Sequence, residues 1–284
     1  MERVFIIGTG LIGASIGLAL RAAGFGGRID GWDASQLEMA SAVQMGAIDG
    51  RAASRENALE LARLADVTVL AVPVLAIKDW TQQLAPVLSA EQLVTDVGST
   101  KLEIVELARE LFAGDTTAVF LPGHPMAGKE SGGALLAEAG LFDGAMWLFT
   151  PVSTEMTKIE KDWRGWIGCF GSRMLDMDAT RHDELCAWVS HLPQMLSTAL
   201  AALLEEKFGD APEIAAIGGR ALRETTRLGA SPYSMWRDVA MTNTGPVADT
   251  LLALEQRLQH VRENLRTPEL RDEFALANRF RQRR

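Results

Sequence analysis

A length of 284 residues is enough for one large domain or two medium domains with a buried core. The net charge of −9, without a long basic run, argues against a nucleic-acid partner or an anionic membrane surface. Two cysteines far apart in sequence and only four histidines argue against a structural zinc site, so we expect no bound metal. No apolar run is long enough to span a bilayer, and no signal peptide precedes the first predicted strand at about Arg3, so we expect a cytoplasmic protein.

The first part of the sequence alternates short β-branched runs with helical segments, which is typical of a parallel sheet covered by helices. A strand over Val4 to Ile7 is followed by a helix from Leu11 to about Ala23 and by a second strand over Arg28 to Trp32. Because the later runs are apolar on both faces, buried parallel strands are expected there too, and the last one closes the domain. These later strands are predicted at 67–72, 93–97, 118–121, 146–149 and 173–177.

The pattern changes after about Asp178, where long helical periodicities replace the strand-like runs. Pro193 lies inside the first helix and is expected to kink it, and Thr267-Pro268 is expected to begin a final helix. Apolar residues recur at helical spacing in two sets, Leu185, Val189, Leu192, Leu196, Leu200 and Leu203, and Val247, Leu251, Leu254, Leu258, Val261 and Leu265. These two seams favour a homodimer, although packing within one chain would also bury them. We therefore predict an α/β protein with a Rossmann-type dinucleotide-binding domain over 1–178 and an all-helical substrate and dimerisation domain over 179–284.

A glycine-rich turn joins the first predicted strand to its helix. Gly8, Gly10 and Gly13 match the GxGxxG pattern, and Asp33 follows 20 residues later at the end of the second strand. This combination is the dinucleotide fingerprint, in which the glycines allow a tight turn, close approach of the pyrophosphate and close helix packing. Asp33 would accept hydrogen bonds from the ribose hydroxyls and repel a 2′-phosphate, so the predicted cofactor is NAD. We assign four further residues to the cofactor site: Leu11, Ile12, Val72 and Pro73.

Three later segments place polar residues among turn-forming residues. Two follow predicted strands, at 96–101 and 122–130, and the third combines His182-Asp183 with 190–194 on the kinked helix. Ligands of open α/β sheets bind beyond the carboxyl ends of the strands, so the first two segments are expected to border the nicotinamide. His182-Asp183 also fits a simple helix start, and Lys101 fits a solvated charge.

Four stretches together resemble the prephenate/arogenate dehydrogenase family nearly end to end: GLIG at 10–13, GHPMAG at 123–128, SHLP at 190–193, and TRL at 226–228 through MWRD at 235–238. The resemblance implies NAD-dependent oxidative decarboxylation of prephenate to 4-hydroxyphenylpyruvate in tyrosine biosynthesis. Hydride leaves ring carbon C4, the hydroxyl proton is lost, and carbon dioxide departs as the ring becomes aromatic.

The resemblance also implies roles for individual residues. His124 is the implied proton acceptor, Ser99 shares its hydrogen-bond network, and Arg227 clamps a substrate carboxylate. Three more residues are assigned to the substrate site by the same resemblance: Trp236, Glu130 and His191.

Gln194 is where the sequence departs from the family pattern, since many members that prefer prephenate have a histidine directly after SHLP. An amide can donate and accept, so Gln194 suits a substrate side chain with either an amino or a keto group, and arogenate stays an alternative substrate. Two other classes share the domain plan, a β-hydroxyacid dehydrogenase-like enzyme and a non-catalytic NAD-binding dimer. The GHPMAG histidine argues against the first, and the joint presence of Ser99, His124 and Arg227 argues against the second.

Overall fold

The N-terminal part of the protein is built on one six-stranded parallel sheet. The computed structural model describes residues 1–114, 117–129 and 131–283. The strands are β1 (Arg3–Ile7), β2 (Arg28–Trp32), β3 (Gly50–Arg51), β4 (Val67–Leu70), β5 (Leu93–Asp96) and β6 (Val119–Leu121). They lie in the order β3-β2-β1-β4-β5-β6, so the predicted Rossmann-type sheet is confirmed. The connecting helices are α1 (Leu11–Ala22), α2 (Gln36–Gln44), α3 (Arg55–Leu64), α4 (Val74–Leu84) and α5 (Leu102–Leu111).

Helices cover both faces of this sheet, which explains why its central strand β1 is apolar from Val4 to Ile7. Along β1, Val4 and Ile6 pack into one apolar layer, and Phe5 and Ile7 pack into the other. Successive side chains of a strand point to opposite faces, so only a strand buried on both sides carries an uninterrupted apolar run. The carboxyl ends of β1, β4 and β5 thereby converge on one edge of the sheet.

A second sheet follows β6. Strands are present near 146–149 and 173–177 as predicted, but the expectation that they continue the buried parallel sheet was wrong. The strands β7 (Gly123–Pro125), β8 (Met146–Phe149) and β9 (Arg173–Asp176) form a separate sheet, in which β7 and β8 are antiparallel. Pro122 ends the first sheet because it has no N–H to continue the ladder, and its carbonyl accepts a hydrogen bond from the N–H of Thr150. Trp147 and Phe149 pack into the apolar layer that also contains α6 (Lys158–Cys169), whereas all four residues of β9 are exposed.

The chain is helical from Ala179 onward. Helices α7 (Ala179–Cys186) and α8 (Leu192–Phe208) are joined by a π-helical turn at Ala187–His191. The predicted irregularity therefore lies just before Pro193, which falls in the first turn of α8, where its missing N–H is tolerated. The remaining helices are α9 (Pro212–Ile217), α10 (Arg220–Thr226), α11 (Tyr233–Thr242), α12 (Thr244–Glu263) and α13 (Pro268–Gln282). The final helix begins as predicted, with Thr267 as its N-cap residue.

This chain buries neither predicted apolar seam along its whole length, although Val247 at the start of the second seam is buried. Leu196 and Leu203 of the first seam and Leu258 of the second are exposed, and α8 instead buries the polar residues Gln194 and Ser197. Apolar residues left exposed on several helices of one domain are typical of a surface that associates with another chain. Among the described residues, no helix combines the length and the apolar character needed to cross a membrane.

Candidate active site

The glycine turn between β1 and α1 has the backbone geometry of a phosphate cradle. Gly8 adopts φ +93°, and a Cβ atom there would lie 2.2 Å from the carbonyl oxygen of Ala71. A Cβ atom on Gly13 would lie 1.9 Å from the carbonyl oxygen of Gly8, so both positions exclude any side chain. At Gly10 a Cβ atom would meet nothing within 4 Å, and α1 starts with neither a side-chain cap nor an acidic residue in its first turn. The turn therefore offers free N–H groups to an anion in open space.

Asp33 lies at the end of β2, beside this turn. Its Oδ2 accepts a hydrogen bond of 2.8 Å from the N–H of Thr9, and its Oδ1 accepts one of 2.8 Å from the N–H of Ser35. These two bonds fix the carboxylate next to the glycine turn. Each oxygen keeps a lone pair, which can accept a hydrogen bond from a hydroxyl group.

Two cavities meet beyond the carboxyl ends of the strands. The first, of about 370 Å³, is lined by the predicted cofactor residues Leu11, Ile12, Val72 and Pro73. The second, of about 410 Å³, is lined by the predicted substrate residues Gln194, Arg227 and Trp236. Ser99 and His124 line both cavities, so they lie at the junction between them.

His124 is the end of a buried chain of hydrogen bonds. Its Nδ1 lies 2.9 Å from Nε2 of His182, and Nδ1 of His182 lies 2.7 Å from Oδ1 of Asp183. Asp183 is held in turn by the N–H groups of Lys101 and Leu102, at 2.7 and 2.9 Å. A carboxylate can only accept, so His182 donates from Nδ1 and accepts at Nε2 from Nδ1–H of His124. This network leaves Nε2 of His124 as the unprotonated ring nitrogen.

Burial keeps His124 neutral. Desolvation holds its pKa well below the ordinary histidine value, and electrostatic interactions with His182, Lys101 and His191 lower that pKa further. Burial also lowers the pKa of His182, although its hydrogen bond to Asp183 opposes the shift. A neutral His124 with a free Nε2 can accept a proton at physiological pH.

Lys101 is not the solvated charge that the sequence suggested. Its side chain is fully buried and forms an ion pair with Asp96, which is also fully buried. Asp96 in addition accepts hydrogen bonds from the N–H groups of Gly98 at 2.8 Å and Gly123 at 3.2 Å. The pair therefore ties the loop that carries Ser99 to the strand that carries His124, and a buried charge is tolerated here because it is paired.

Gln194 is buried at the wall of the second cavity. Its Nε2 donates to the carbonyl oxygen of Leu228 at 2.7 Å and to Oγ1 of Thr198 at 3.0 Å. The carbonyl oxygen of Leu228 can only accept, so the amide nitrogen must face it. Oε1 of Gln194 has no hydrogen-bond partner among the described residues. The side chain thus retains an unused acceptor.

The remaining predicted site residues lie at different depths. His191 is fully buried, with Nδ1 3.2 Å from Nδ2 of Asn243, and its ring packs edge-on against Trp236 at 6.0 Å between centroids. His191 therefore supports the half-buried Trp236 from behind, and burial lowers the pKa of His191 to about 4. The predicted residue Glu130 lies outside the described part of the chain.

The residues that hold His124 in place were not predicted from the sequence. His182-Asp183 was visible as a polar pair, but its helical position also suited a plain helix start. The same side of the site includes Asn243, whose Nδ2 also donates to the carbonyl oxygen of Asp183 at 2.9 Å. No local sequence signal marks Asn243, because its partners lie about 50 to 60 residues away.

The fold and the site together define a dinucleotide-dependent oxidoreductase in which a Rossmann-type crevice opens at a buried histidine beside a helical domain. Two family models match the chain. Prephenate dehydrogenase, nucleotide-binding domain, matches residues 16–170, and prephenate dehydrogenase, dimerization domain, matches residues 178–281. The chain belongs to the prephenate dehydrogenase family.

Individual relatives cover nearly the whole chain. Prephenate dehydrogenase of Lactococcus lactis is 32% identical over 281 residues, which are 99% of this chain and 75% of that protein. The crystal structure of prephenate dehydrogenase from Aquifex aeolicus with hydroxyphenyl propionate and NAD+ is similar at a TM-score of 0.85 and 28% identity, covering 99% of this chain and 96% of that one. Synechocystis arogenate dehydrogenase is similar at a TM-score of 0.79 and 29% identity, covering 99% of both chains. Relatives of both substrate preferences therefore share this fold.

Proposed function

We propose that this protein is an NAD-dependent prephenate dehydrogenase, which converts prephenate to 4-hydroxyphenylpyruvate by oxidative decarboxylation in tyrosine biosynthesis. The observation that carries the proposal is the position of His124, which lies between the two cavities with Nδ1 engaged and Nε2 unprotonated. The working unit is a homodimer formed through the helical domain, consistent with the match to a dimerization domain. A cytoplasmic location and the absence of a nucleic-acid partner stay predictions.

The first cavity suits NAD. The open space at Gly10 and the uncapped start of α1 fit a pyrophosphate, and Asp33 fits a ribose with free hydroxyls. Bound NAD would supply the hydride acceptor for the reaction. The residues of the chain bind and orient both ligands, and they accept and return the proton of the substrate hydroxyl.

The proton path follows from the hydrogen-bond network. Nε2 of His124 accepts the proton of the ring hydroxyl as hydride leaves the same carbon, and Ser99 orients that hydroxyl from the neighbouring loop. Loss of carbon dioxide then leaves its bonding electron pair in the ring, which becomes aromatic. The proton held by His124 returns to the ring oxygen, so the reaction releases no net proton.

Substrate binding requires cations because prephenate carries two carboxylates. Arg227 lines the second cavity, and its planar guanidinium matches a carboxylate with two parallel hydrogen bonds. Trp236 lines the same cavity, and its ring packs against the ring of His191. Charge and shape at this wall would hold the ring against the cofactor crevice.

The proposal is tested by initial rates of NADH formation with purified protein and prephenate, with the keto-acid product identified. Product formation at the rate of NADH formation is expected. Reduction of NAD only with a 3-hydroxy acid would favour the hydroxyacid dehydrogenase alternative. Cofactor binding without turnover of any of these substrates would favour the non-catalytic dimer.

Arogenate is the second candidate substrate, and the orientation of Gln194 favours it. Both donors of the amide are used by Leu228 and Thr198, and its acceptor Oε1 is buried without a partner among the described residues, so a substrate donor that reaches it would satisfy it. The ammonium group of arogenate can donate to this oxygen, whereas the keto group of prephenate cannot. We therefore expect the protein to accept arogenate as well as prephenate.

Replacing Gln194 with methionine tests this expectation, because methionine keeps the volume and removes the acceptor. Loss of one hydrogen bond to an ammonium group should lower kcat/KM for arogenate about 10- to 100-fold, and that for prephenate much less. Thr198→Val is the matched control, since it removes only a partner of the amide nitrogen. An equal loss for both substrates would show that Gln194 does not contact the side chain.

Replacing Asp33 with asparagine should change the cofactor preference. The variant keeps an oxygen for the N–H of Thr9 or Ser35 and removes the charge that repels a 2′-phosphate. We expect kcat/KM to fall about tenfold with NAD and to rise about tenfold with NADP. Asp30→Asn on the same strand, where the carboxylate pairs with Arg28, should leave the ratio unchanged. An unchanged ratio in Asp33→Asn would remove Asp33 from the ribose site.

A further inference from the structure

The fold brings together three metal-ligating side chains that lie far apart in sequence. Nδ1 of His124, Nε2 of His182 and Sγ of Cys186 are separated by 2.9, 3.6 and 4.0 Å, and all three residues are buried. Ligand spacing along the sequence does not reveal this cluster, because β7 and α7 meet only in the folded chain.

The triangle is close in size to one face of a zinc tetrahedron: its 3.6 Å edge fits, and its 2.9 and 4.0 Å edges need shifts of a few tenths of an ångström. Zinc–nitrogen bonds of about 2.0–2.1 Å and zinc–sulfur bonds of about 2.3 Å place neighbouring ligand atoms about 3.3–3.8 Å apart. His182 and Cys186 are four residues apart on α7, so one helical turn presents both to the same side. His124 from β7 supplies the third ligand.

The residues around the three candidate ligands also resemble the surroundings of a metal site. Asp183 binds the other ring nitrogen of His182 at 2.7 Å, the carboxylate–histidine arrangement that orients metal-bound histidines in proteins. The Asp183 carboxylate is itself fixed by two backbone N–H groups. Of the three ligands, His124 alone lines the two cavities, so an ion would reach the triangle past its ring.

We propose that His124, His182 and Cys186 form an inhibitory site for a thiophilic divalent metal ion of the zinc class. Binding releases the Cys186 thiol proton to solvent and replaces the His124–His182 hydrogen bond with two metal–nitrogen bonds. The proton on Nδ1 of His124 is displaced to Nε2, since a neutral metal-bound imidazole carries its proton on the other nitrogen. His124 then cannot accept the proton of a substrate hydroxyl. Inhibition in this sense rests on the proposed function, whereas metal binding does not.

Cobalt substitution tests the site directly. Chelator-treated protein titrated with Co²⁺ should bind one ion per chain and show thiolate-to-cobalt charge transfer together with the visible bands of tetrahedral cobalt. Cys186→Ala should lose the charge-transfer band, and Cys169→Ala, which removes the exposed cysteine, should keep it. Zn²⁺ should displace the cobalt signal.

Inhibition of NADH formation is the second measurement. Zn²⁺ should inhibit the wild type and Cys169→Ala, and a chelator should restore both. Cys186→Ala should need about 10- to 100-fold more Zn²⁺. A wild-type protein without the thiolate band, or a band that survives in Cys186→Ala, would overturn the site, and the wild-type spectrum decides this even where a variant does not fold. A full cobalt spectrum in a protein that turns over neither substrate would support the metal site and reject the proposed function.

Discussion

Replacing His124 with asparagine is expected to lower kcat about 100- to 10,000-fold, the usual contribution of a positioned general base. The amide nitrogen of asparagine can replace Nδ1 as the donor to His182, so the hydrogen-bonded chain to Asp183 survives. Nothing replaces Nε2, the only nitrogen that the network leaves free to accept a proton. The loss should therefore appear in turnover, with little change in NAD affinity.

The measurement is kcat with saturating prephenate or arogenate, alongside calorimetric NAD binding. His260→Asn is the matched control, because this exposed histidine on α12 contacts Asn264 and Glu273 rather than the site. It should retain wild-type turnover. If His124→Asn were as active as His260→Asn, the proton acceptor would have to be another residue.

Replacing Lys101 with methionine is expected to destabilise the protein by about 3–5 kcal/mol, the usual effect of removing one partner of a buried ion pair. The variant leaves Asp96 buried beside the N–H groups of Gly98 and Gly123 without its cation. Since Asp96 joins the loop that carries Ser99 to the strand that carries His124, activity should fall along with stability.

Urea unfolding measures this effect, and two further variants separate its causes. Lys78→Met removes a surface pair with Glu103 and should cost about 0–1 kcal/mol. The double variant Asp96→Asn/Lys101→Met removes both charges and should recover part of the loss. Equal losses from Lys78→Met and Lys101→Met would show that the buried pair has no special role in the fold.

The parts of the fold that local patterns determine could be predicted from the sequence. The cofactor turn was predictable because strand, glycine spacing and Asp33 all lie within 31 consecutive residues, from Arg3 to Asp33. The final helix was predictable because Thr267-Pro268 marks its start. The second sheet was not, because a short apolar run such as 146–149 does not indicate which neighbour it pairs with.

In the candidate site, too, local sequence signals were predictable and tertiary contacts were not. His124 and Ser99 lie in sequence segments with strong turn and strand signals, whereas the support of His124 depends on tertiary contacts. Asp183 reaches Lys101 across 82 residues, and His124 reaches His182 across 58. The exposure of Leu196 and Leu203 could not be predicted either. Helical periodicity shows that one face of a helix is apolar, but it does not show which face this chain buries.

We expect one site to couple hydride removal from the ring to decarboxylation. Prephenate labelled in its ring carboxylate allows labelled carbon dioxide and NADH to be counted in the same reaction at neutral pH. One labelled carbon dioxide per NADH is the predicted result, with neither product formed when protein is omitted. NADH without labelled carbon dioxide, or labelled carbon dioxide without NADH, would contradict an oxidative decarboxylation at this site.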